Sequence, residues 1–388
     1  MKKVIAAAAG LMLVGTMVGS ASGAVSLSGD ARARWFYSQY GDGTKATEQN
    51  EGFSSRVRVN FNAEAKGGAY AKTRLRMADT KWDGTRKTRA KGEGSNLFAD
   101  YAYIGIPMGP VTLEAGLMTA DVTPFLLWDV KADMFKIKYE RDMTSLEFWF
   151  AKDMEYTFVA PVPVQGQVAP VVVNTDFTDD NDINTYAVLL NQKFSGDFGV
   201  TVAALYVDDQ TPSDAGGLAG TVQIGGPIGP VELEAAGAYK EAVLQGTEDD
   251  GMGFYLSVGY DMGAASVTVM GGMTMDGYVA DDDFGFMMIG SASSITPDVS
   301  AEIGAGGDTT FFGGIFGFDV SEDLSLEGVL AYADVDEMGS AFEVSGSAKY
   351  VISDGANVKW DIGYLGLDYD HGDPENPFAT TVTFNVSF

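Results

Sequence analysis

From Val25 onward the chain is cut into segments of about ten residues in which apolar and polar side chains alternate, and no apolar run is long enough for a spanning helix. Period two puts successive side chains on opposite faces of an extended strand. In residues 53–64, Val57, Val59, Phe61 and Ala63 share one face, and Arg56, Arg58, Asn60, Asn62 and Glu64 share the other. Residues 341–350 set Phe342, Val344, Gly346, Ala348 and Tyr350 against Glu343, Ser345, Ser347 and Lys349. Residues 358–364 set Val358, Trp360, Ile362 and Tyr364 against Lys359, Asp361 and Gly363. A soluble β-sandwich alternates too. The number of segments and the lengths of their connections separate the two architectures.

Short turn-forming connections recur at 66–68, 108–110, 141–143, 195–197, 227–230, 261–263, 296–298, 321–323 and 353–355. Longer polar loops lie between them, at 38–51, 78–96, 118–133, 152–182, 209–219, 241–250, 275–283, 306–310, 333–340 and 370–378. Short turns on one side and long loops on the other describe an all-β, transmembrane, antiparallel up-and-down β-barrel with periplasmic turns and extracellular loops. Nine turns and ten loops give a best count of 20 strands, with 16–18 as the alternative. The Gly-rich segments 284–296 and 300–316 and the poorly alternating 97–106 are where that count is least secure. A barrel of any of these sizes is wide enough for an aqueous channel.

The two ends agree with export. Met1-Lys2-Lys3, a short apolar run and a small-residue stretch ending at Ala24 predict a signal peptide over 1–24, leaving 25–388 as the barrel. The last strand places Val382, Phe384, Val386 and Phe388 on one face, and the chain stops on that phenylalanine. This resembles the C-terminal signal read by the barrel assembly machinery of the outer membrane. Cysteine is absent, and the single histidine, His371, argues against a Ser-His-Asp triad and a multi-histidine zinc site. The charge balance is wrong for nucleic acid, and no cofactor motif is present.

Charge is unevenly placed. Residues 1–152 hold 21 Lys+Arg and 16 Asp+Glu, whereas 153–388 hold 4 and 38. The basic residues recur at spacing two: Arg32 and Arg34, Arg56 and Arg58, Lys72, Arg74 and Arg76, Lys136 and Lys138. A Lys or Arg on the lipid face costs about 2–4 kcal/mol near the midplane, so these rows are expected to face the lumen. Glu64, Asp100 and Glu114 are candidate ion-pair partners. Glu232, Glu234, Glu327, Glu343 and Asp361 would form an acidic wall opposite. Acidic loop clusters at Asp176, Asp179, Asp180 and Asp182, at Glu248–Asp250 and at Asp281–Asp283 have the oxygen-rich composition of weak Ca²⁺ sites, although solvated loop charge is the simpler reading.

The stretch Phe98-Ala99-Asp100-Tyr101-Ala102-Tyr103-Ile104-Gly105-Ile106, followed by Gly109-Pro110-Val111-Thr112-Leu113-Glu114-Ala115-Gly116-Leu117, resembles a strand–Gly–turn–Gly–strand hairpin of the general porin superfamily of Gram-negative bacteria. The resemblance implies an outer-membrane pore for passive diffusion of ions and small hydrophilic solutes, in contact with outer-membrane lipid and lipopolysaccharide and assembled as a homotrimer. It also implies that loop 118–133 folds inward to narrow the pore. Asp121, Asp129 and Asp133 would then face the constriction, and Phe125, Leu126, Leu127 and Trp128 would pack against the wall. Two alternatives are a substrate-selective channel with an aromatic track at Trp35, Tyr37 and Trp82, and a plugged structural barrel.

Overall fold

The computed structural model describes residues 23–388 apart from 41–47, 83–96, 155–160, 165–166, 171–181, 211–214, 291–294, 296–300, 337 and 370–375. Residues 1–22 of the expected leader, the loop histidine His371 and the turn 296–298 lie outside the described residues.

The first strands are β1 (Ala24–Tyr40), β2 (Glu48–Glu64), β3 (Tyr70–Lys81), β4 (Leu97–Met108), β5 (Val111–Ala120), β6 (Val130–Arg141) and β7 (Thr144–Met154). Among the described residues, a two-stranded hairpin, β8 (Pro161–Val164) and β9 (Gln167–Pro170), pairs only with itself. The series resumes with β10 (Ile183–Ser195), β11 (Phe198–Asp209), β12 (Gly217–Ile228) and β13 (Val231–Lys240). A single helical turn, α1 (Ala242–Gln245), precedes β14 (Gly251–Asp261) and β15 (Ala265–Met275). The last five are β16 (Thr309–Asp319), β17 (Leu324–Val335), β18 (Gly339–Ser353), β19 (Ala356–Tyr369) and β20 (Phe378–Ser387).

Eighteen of these strands form one sheet in which every pairing is antiparallel, β7 pairs with β10, and β1 pairs with both β2 and β20. The sheet therefore closes on itself and leaves no edge, which is how a β-structure satisfies its backbone in lipid. Tight turns occupy one end. Gly109 and Gly229, at φ 65° and 66°, supply the left-handed residue that two of them need.

Large apolar side chains point outward along the wall. Ile104, Ile106, Phe135, Ile137, Val188, Leu256, Val258, Phe316, Val344 and Trp360 are exposed on the isolated barrel, as a lipid-facing band must be. On β20, Val382, Phe384 and Val386 stand on this outer face, and Val382 pairs in register with Trp35.

The count of eighteen is two below the best sequence count and inside the 16–18 alternative. The difference lies between β15 and β16. Residues 284–290 and 301–308 form no strand, and a single long connection, 276–308, joins the two strands. Its large apolar residues among those described, from Tyr278 and Phe284 to Ile303, are buried inside the barrel, not displayed to lipid. The uneven alternation of 97–106 has a separate cause. Arg74 pairs with Tyr101 and Leu75 with Ala99, so Asp100 is the extra residue of a β-bulge.

Candidate functional site in the barrel lumen

The basic rows do share the inner face. Arg32 lies opposite Arg56, and Asp30 opposite Arg58, across β1 and β2. Asn60 lies opposite Arg74, Asn62 opposite Lys72 and Arg58 opposite Arg76 across β2 and β3. Arg32, Arg34, Arg56, Arg58, Lys72, Arg74 and Arg76 are all half-buried. The predicted partner Asp100 is nearly buried and pairs with both Arg74 and Arg76, the latter at 2.6 Å. The bulge makes this possible, because it sets one carboxylate between two basic residues of the neighbouring strand. Asp30 takes Arg58 at 2.9 Å.

The basic row of β3 is also stacked. Lys72 Nζ lies 4.9 Å from the centre of the Tyr70 ring, Arg74 lies 4.7 Å from that of Tyr101, and Arg76 lies 5.5 Å from that of Phe98. Such contacts hold a cation in place while leaving its charge unneutralised. The tyrosines were not identified as lumen residues from the sequence. Their signal was present as the spacing of Tyr101 and Tyr103, masked by the bulge beside them.

Lys136 and Lys138 continue the inner face on β6. Glu147 of β7 reaches Lys136 at 3.3 Å and Lys138 at 3.8 Å, and Glu140 reaches Lys138 at 2.8 Å. Glu114 on β5 stands opposite Lys136 and accepts the Tyr70 hydroxyl at 2.5 Å. Glu64 sits exposed at the end of β2, opposite Tyr70, and makes no ion pair among the described residues.

Loop 118–133 is shorter than the sequence indicates, since β5 runs to Ala120 and β6 begins at Val130. Its tip does turn inward. Phe125 is wholly buried and packs on Tyr255, Tyr278 and Phe284, with ring centres 5.0, 5.2 and 4.6 Å away. Leu126 is buried beside it, whereas Trp128 remains exposed. Asp121 and Asp129 stay at the solvent-exposed outer end, where Asp121 accepts the backbone N–H of Asp129 at 2.9 Å and Asp129 pairs with Lys131. Asp133 departs from expectation. It lies on β6 between the buried, inward Ala132 and Met134, so alternation turns it to the outer face, in register with Lys152.

Connection 276–308 does most of the filling. Tyr278, Phe284, Phe286, Met287, Met288, Ile289, Ile295 and Ile303 are buried within the barrel. The wall receives them at inward glycines. A Cβ added to Gly253 would stand 2.7 Å from Phe125 Cζ, one on Gly313 2.6 Å from Phe286 Cζ, and one on Gly363 2.5 Å from Met288 Sδ. The two loops are joined: the Tyr278 hydroxyl donates to the Phe125 carbonyl at 2.5 Å, and the Trp128 N–H donates to Asp281 at 3.0 Å. Each fully buried aromatic or Ile side chain contributes roughly 1.5–3 kcal/mol, so this septum is a packed core and not a loose flap.

The acidic wall faces inward as predicted, but much of its charge is engaged. Glu234 accepts the Tyr255 hydroxyl at 2.6 Å, and Asp361 pairs with Lys359 at 2.8 Å and accepts the Thr381 hydroxyl at 3.2 Å. Glu343 is 1% exposed and accepts the backbone N–H groups of Met288 and Ile289. Glu232 and Glu327 are exposed near the short-turn end. The inner face thus carries fewer bare carboxylates than the sequence suggests.

The aromatic track is overturned. Trp35 pairs with Phe53 and Val382 on the outer face, Trp82 stacks on Phe53 at 5.3 Å, and Tyr37 pairs with Thr380, whose hydroxyl binds the outward Trp360. These side chains belong to the aromatic girdle at the membrane interface. Of the acidic clusters, Asp176, Asp179 and Asp180 lie outside the described residues. Asp182 pairs with Lys152 at 3.0 Å, and Asp250 accepts the Ala242 N–H at 3.0 Å. Asp281, Asp282 and Asp283 bring carboxylate oxygens within 4.8 Å of one another.

A family profile described as Gram-negative porin matches residues 5–338. No curated protein matches the chain in sequence. Among solved structures, a BenF-like porin from Pseudomonas fluorescens Pf-5 is similar at 11% identity and TM-score 0.58, covering 94% of this chain and 99% of its own. Pseudomonas aeruginosa OpdQ is similar at 11% identity and TM-score 0.62, covering 94% and 97%. Pseudomonas aeruginosa OccK2 (OpdF) is similar at 12% identity and TM-score 0.61, covering 93% and 98%. At such identities the structural likeness carries the fold.

Proposed function

Because the chain belongs to the Gram-negative porin family, and is therefore an outer-membrane channel for small solutes, we propose that it conducts ions and small hydrophilic solutes by passive diffusion with a preference for anions. The observation that carries this reading is the arc of seven half-buried cations on the inner face of β1–β3. Asp30 and Asp100 offset part of that charge, and the cations of β3 are held in place by aromatic stacking. Charge rings of one sign set ion preference in a narrow pore. The −29 total of the chain works against this from a distance, but fields at the constriction outweigh screened charge on the outer loops.

A carboxylate-bearing solute fits the same arc. One relative, Pseudomonas aeruginosa OccK2, has been solved in complex with glucuronate. The remaining parts of the reading are a cleaved leader over 1–24, recognition of the terminal Phe388 strand by the barrel assembly machinery, contact with lipopolysaccharide, and a homotrimer. The role needs no catalysis and no cofactor.

The test is single-channel recording in a planar bilayer under a salt gradient. Steady nanosiemens-scale openings with an anion-signed reversal potential support the proposal, and closure in steps of three supports the trimer. A cation-signed potential removes the anion preference. A silent bilayer from folded protein favours the plugged barrel instead, for which the packed septum is the specific observation.

A further inference from the structure

We propose that Glu343 is a positioning residue that sets the aperture of the channel, by latching the main chain of connection 276–308 against the barrel wall.

The carboxylate is built for that contact. Glu343 stands on the inner face of β18, 1% exposed, between Ala331 of β17 and Leu365 of β19. It accepts the N–H of Met288 at 2.9 Å and that of Ile289 at 2.8 Å, and the Ser345 hydroxyl also donates to it. Around these residues the segment bonds to its own main chain. Ala301 N–H donates to the Met288 carbonyl at 2.9 Å, Gly290 N–H to the Ala301 carbonyl at 2.7 Å, and Phe286 N–H to the Ile289 carbonyl at 2.6 Å. The N–H groups of Met288 and Ile289 point the other way, into the wall, where the carboxylate meets them. Buried amides without an acceptor are costly, and so is a buried carboxylate without donors. Each half of the contact thus solves the other's problem, and neither is satisfied if the segment leaves.

The contact fixes how much of the lumen the segment occupies. Met288 and Ile289 are each 1% exposed, and Gly363 next to Glu343 leaves the space that Met288 and Ile295 fill. With the latch removed, residues 286–290 lose their polar contact with the wall and keep side-chain packing there, while the Tyr278 and Asp281 contacts hold the start of the connection, so this stretch is expected to leave the wall for a large fraction of the time.

The chain has no cysteine, which allows a clean lock. A Cβ on residue 363 would stand 3.2 Å from Met288 Cγ, close to the distance of about 3 Å between one Cβ and the far sulfur of a disulfide. The Met288→Cys/Gly363→Cys pair is therefore made together with Glu343→Ala and folded oxidised, so that the barrel assembles with the segment held. Reduction in the bilayer should then raise single-channel conductance at least twofold and increase current noise, and reoxidation should reverse it. The same pair with Glu343 kept should show little change on reduction. This readout rests on the channel reading, so a second one does not. Met288→Cys alone should react with a membrane-impermeant maleimide at least tenfold faster when combined with Glu343→Ala than with Glu343 retained, and Glu343→Gln, which keeps an acceptor oxygen, should fall near the retained rate. Equal labelling rates with and without the carboxylate overturn the latch whatever the bilayer shows. Unequal rates with no conductance in any variant support the latch and remove the channel reading. Unequal rates with a reduction-insensitive conductance overturn its role in setting the aperture.

Discussion

Asp100 Oδ1 lies 2.6 Å from the guanidinium of Arg76 while its other oxygen faces Arg74, so one nearly buried carboxylate on β4 organises two cations of β3. Removing its charge leaves both guanidinium groups on the inner face and takes one negative charge from between them. Asp100→Asn is expected to move the zero-current potential toward anions, with conductance changed less than twofold. Arg74→Glu with Arg76→Glu should move it toward cations. An unchanged reversal potential in both variants would remove β3 from the constriction.

The two faces of β6 predict opposite phenotypes for neighbouring positions. Phe135 is exposed on the outer face, and Lys136 points inward to Glu147. Phe135→Lys places an ammonium against lipid at a cost of about 2–4 kcal/mol near the midplane. It should lower the yield of heat-modifiable barrel in outer membranes and its melting temperature. Lys136→Gln should leave both near the parent and act on ion selectivity alone. The reverse pattern would mean that β6 is turned inside out.

Much of the fold was legible because lipid and water impose period two on a spanning strand. Arg56 and Arg58 could be assigned to the lumen without coordinates, since the other face was lipid. The same rule produced the miscount. Phe284, Phe286 and Met288 also recur at spacing two, yet they lie on a connection folded into the barrel, where packing and not lipid selects apolar residues. The counter-signal was in the wall. Gly253, Gly313 and Gly363 occupy inward positions, and each is where a septum side chain fits. Inward glycines on separate strands are legible only once the strands are known to be neighbours in space. Asp133 faces outward because β6 already begins at Val130, so strand alternation and not a loop sets the direction of its side chain.

Phe125 joins the two inward segments, touching Tyr255 of the wall and Tyr278 and Phe284 of connection 276–308. Phe125→Ala deletes a wholly buried ring and should cost about 3–5 kcal/mol of septum packing. Because the barrel wall is held by its own ladder, the loss should appear as larger and noisier conductance, with a smaller fall in the melting temperature of the barrel. Deleting 122–130 should enlarge conductance further. A parent-like current from both variants would mean that the tip of this loop does not narrow the pore.

The outer mouth should respond to pH through Asp281. Burial pushes its carboxyl up from 3.8 to about 6, and the charges of Asp282 and Asp283 add to this, while hydrogen bonds from the N–H groups of Asp283 and Trp128 oppose it. Burial and the charge of Asp282 raise Asp283 as well. A carboxyl raised above its ordinary value holds its proton to higher pH in the folded state, so the docked mouth is favoured on the acid side and loses stability as pH rises from about 4 through about 6. The charge seen by a permeating ion changes in the same window. Between pH 7 and pH 5 the mouth gains a proton, and the reversal potential should move toward anions. Asp281→Asn keeps an acceptor for the Trp128 N–H at 3.0 Å and removes the titration. It should show at pH 7 most of the anion shift that the parent reaches at pH 5, and change little across the window. A parent protein whose selectivity is flat from pH 7 to pH 5 would mean that ions pass this mouth without sensing Asp281.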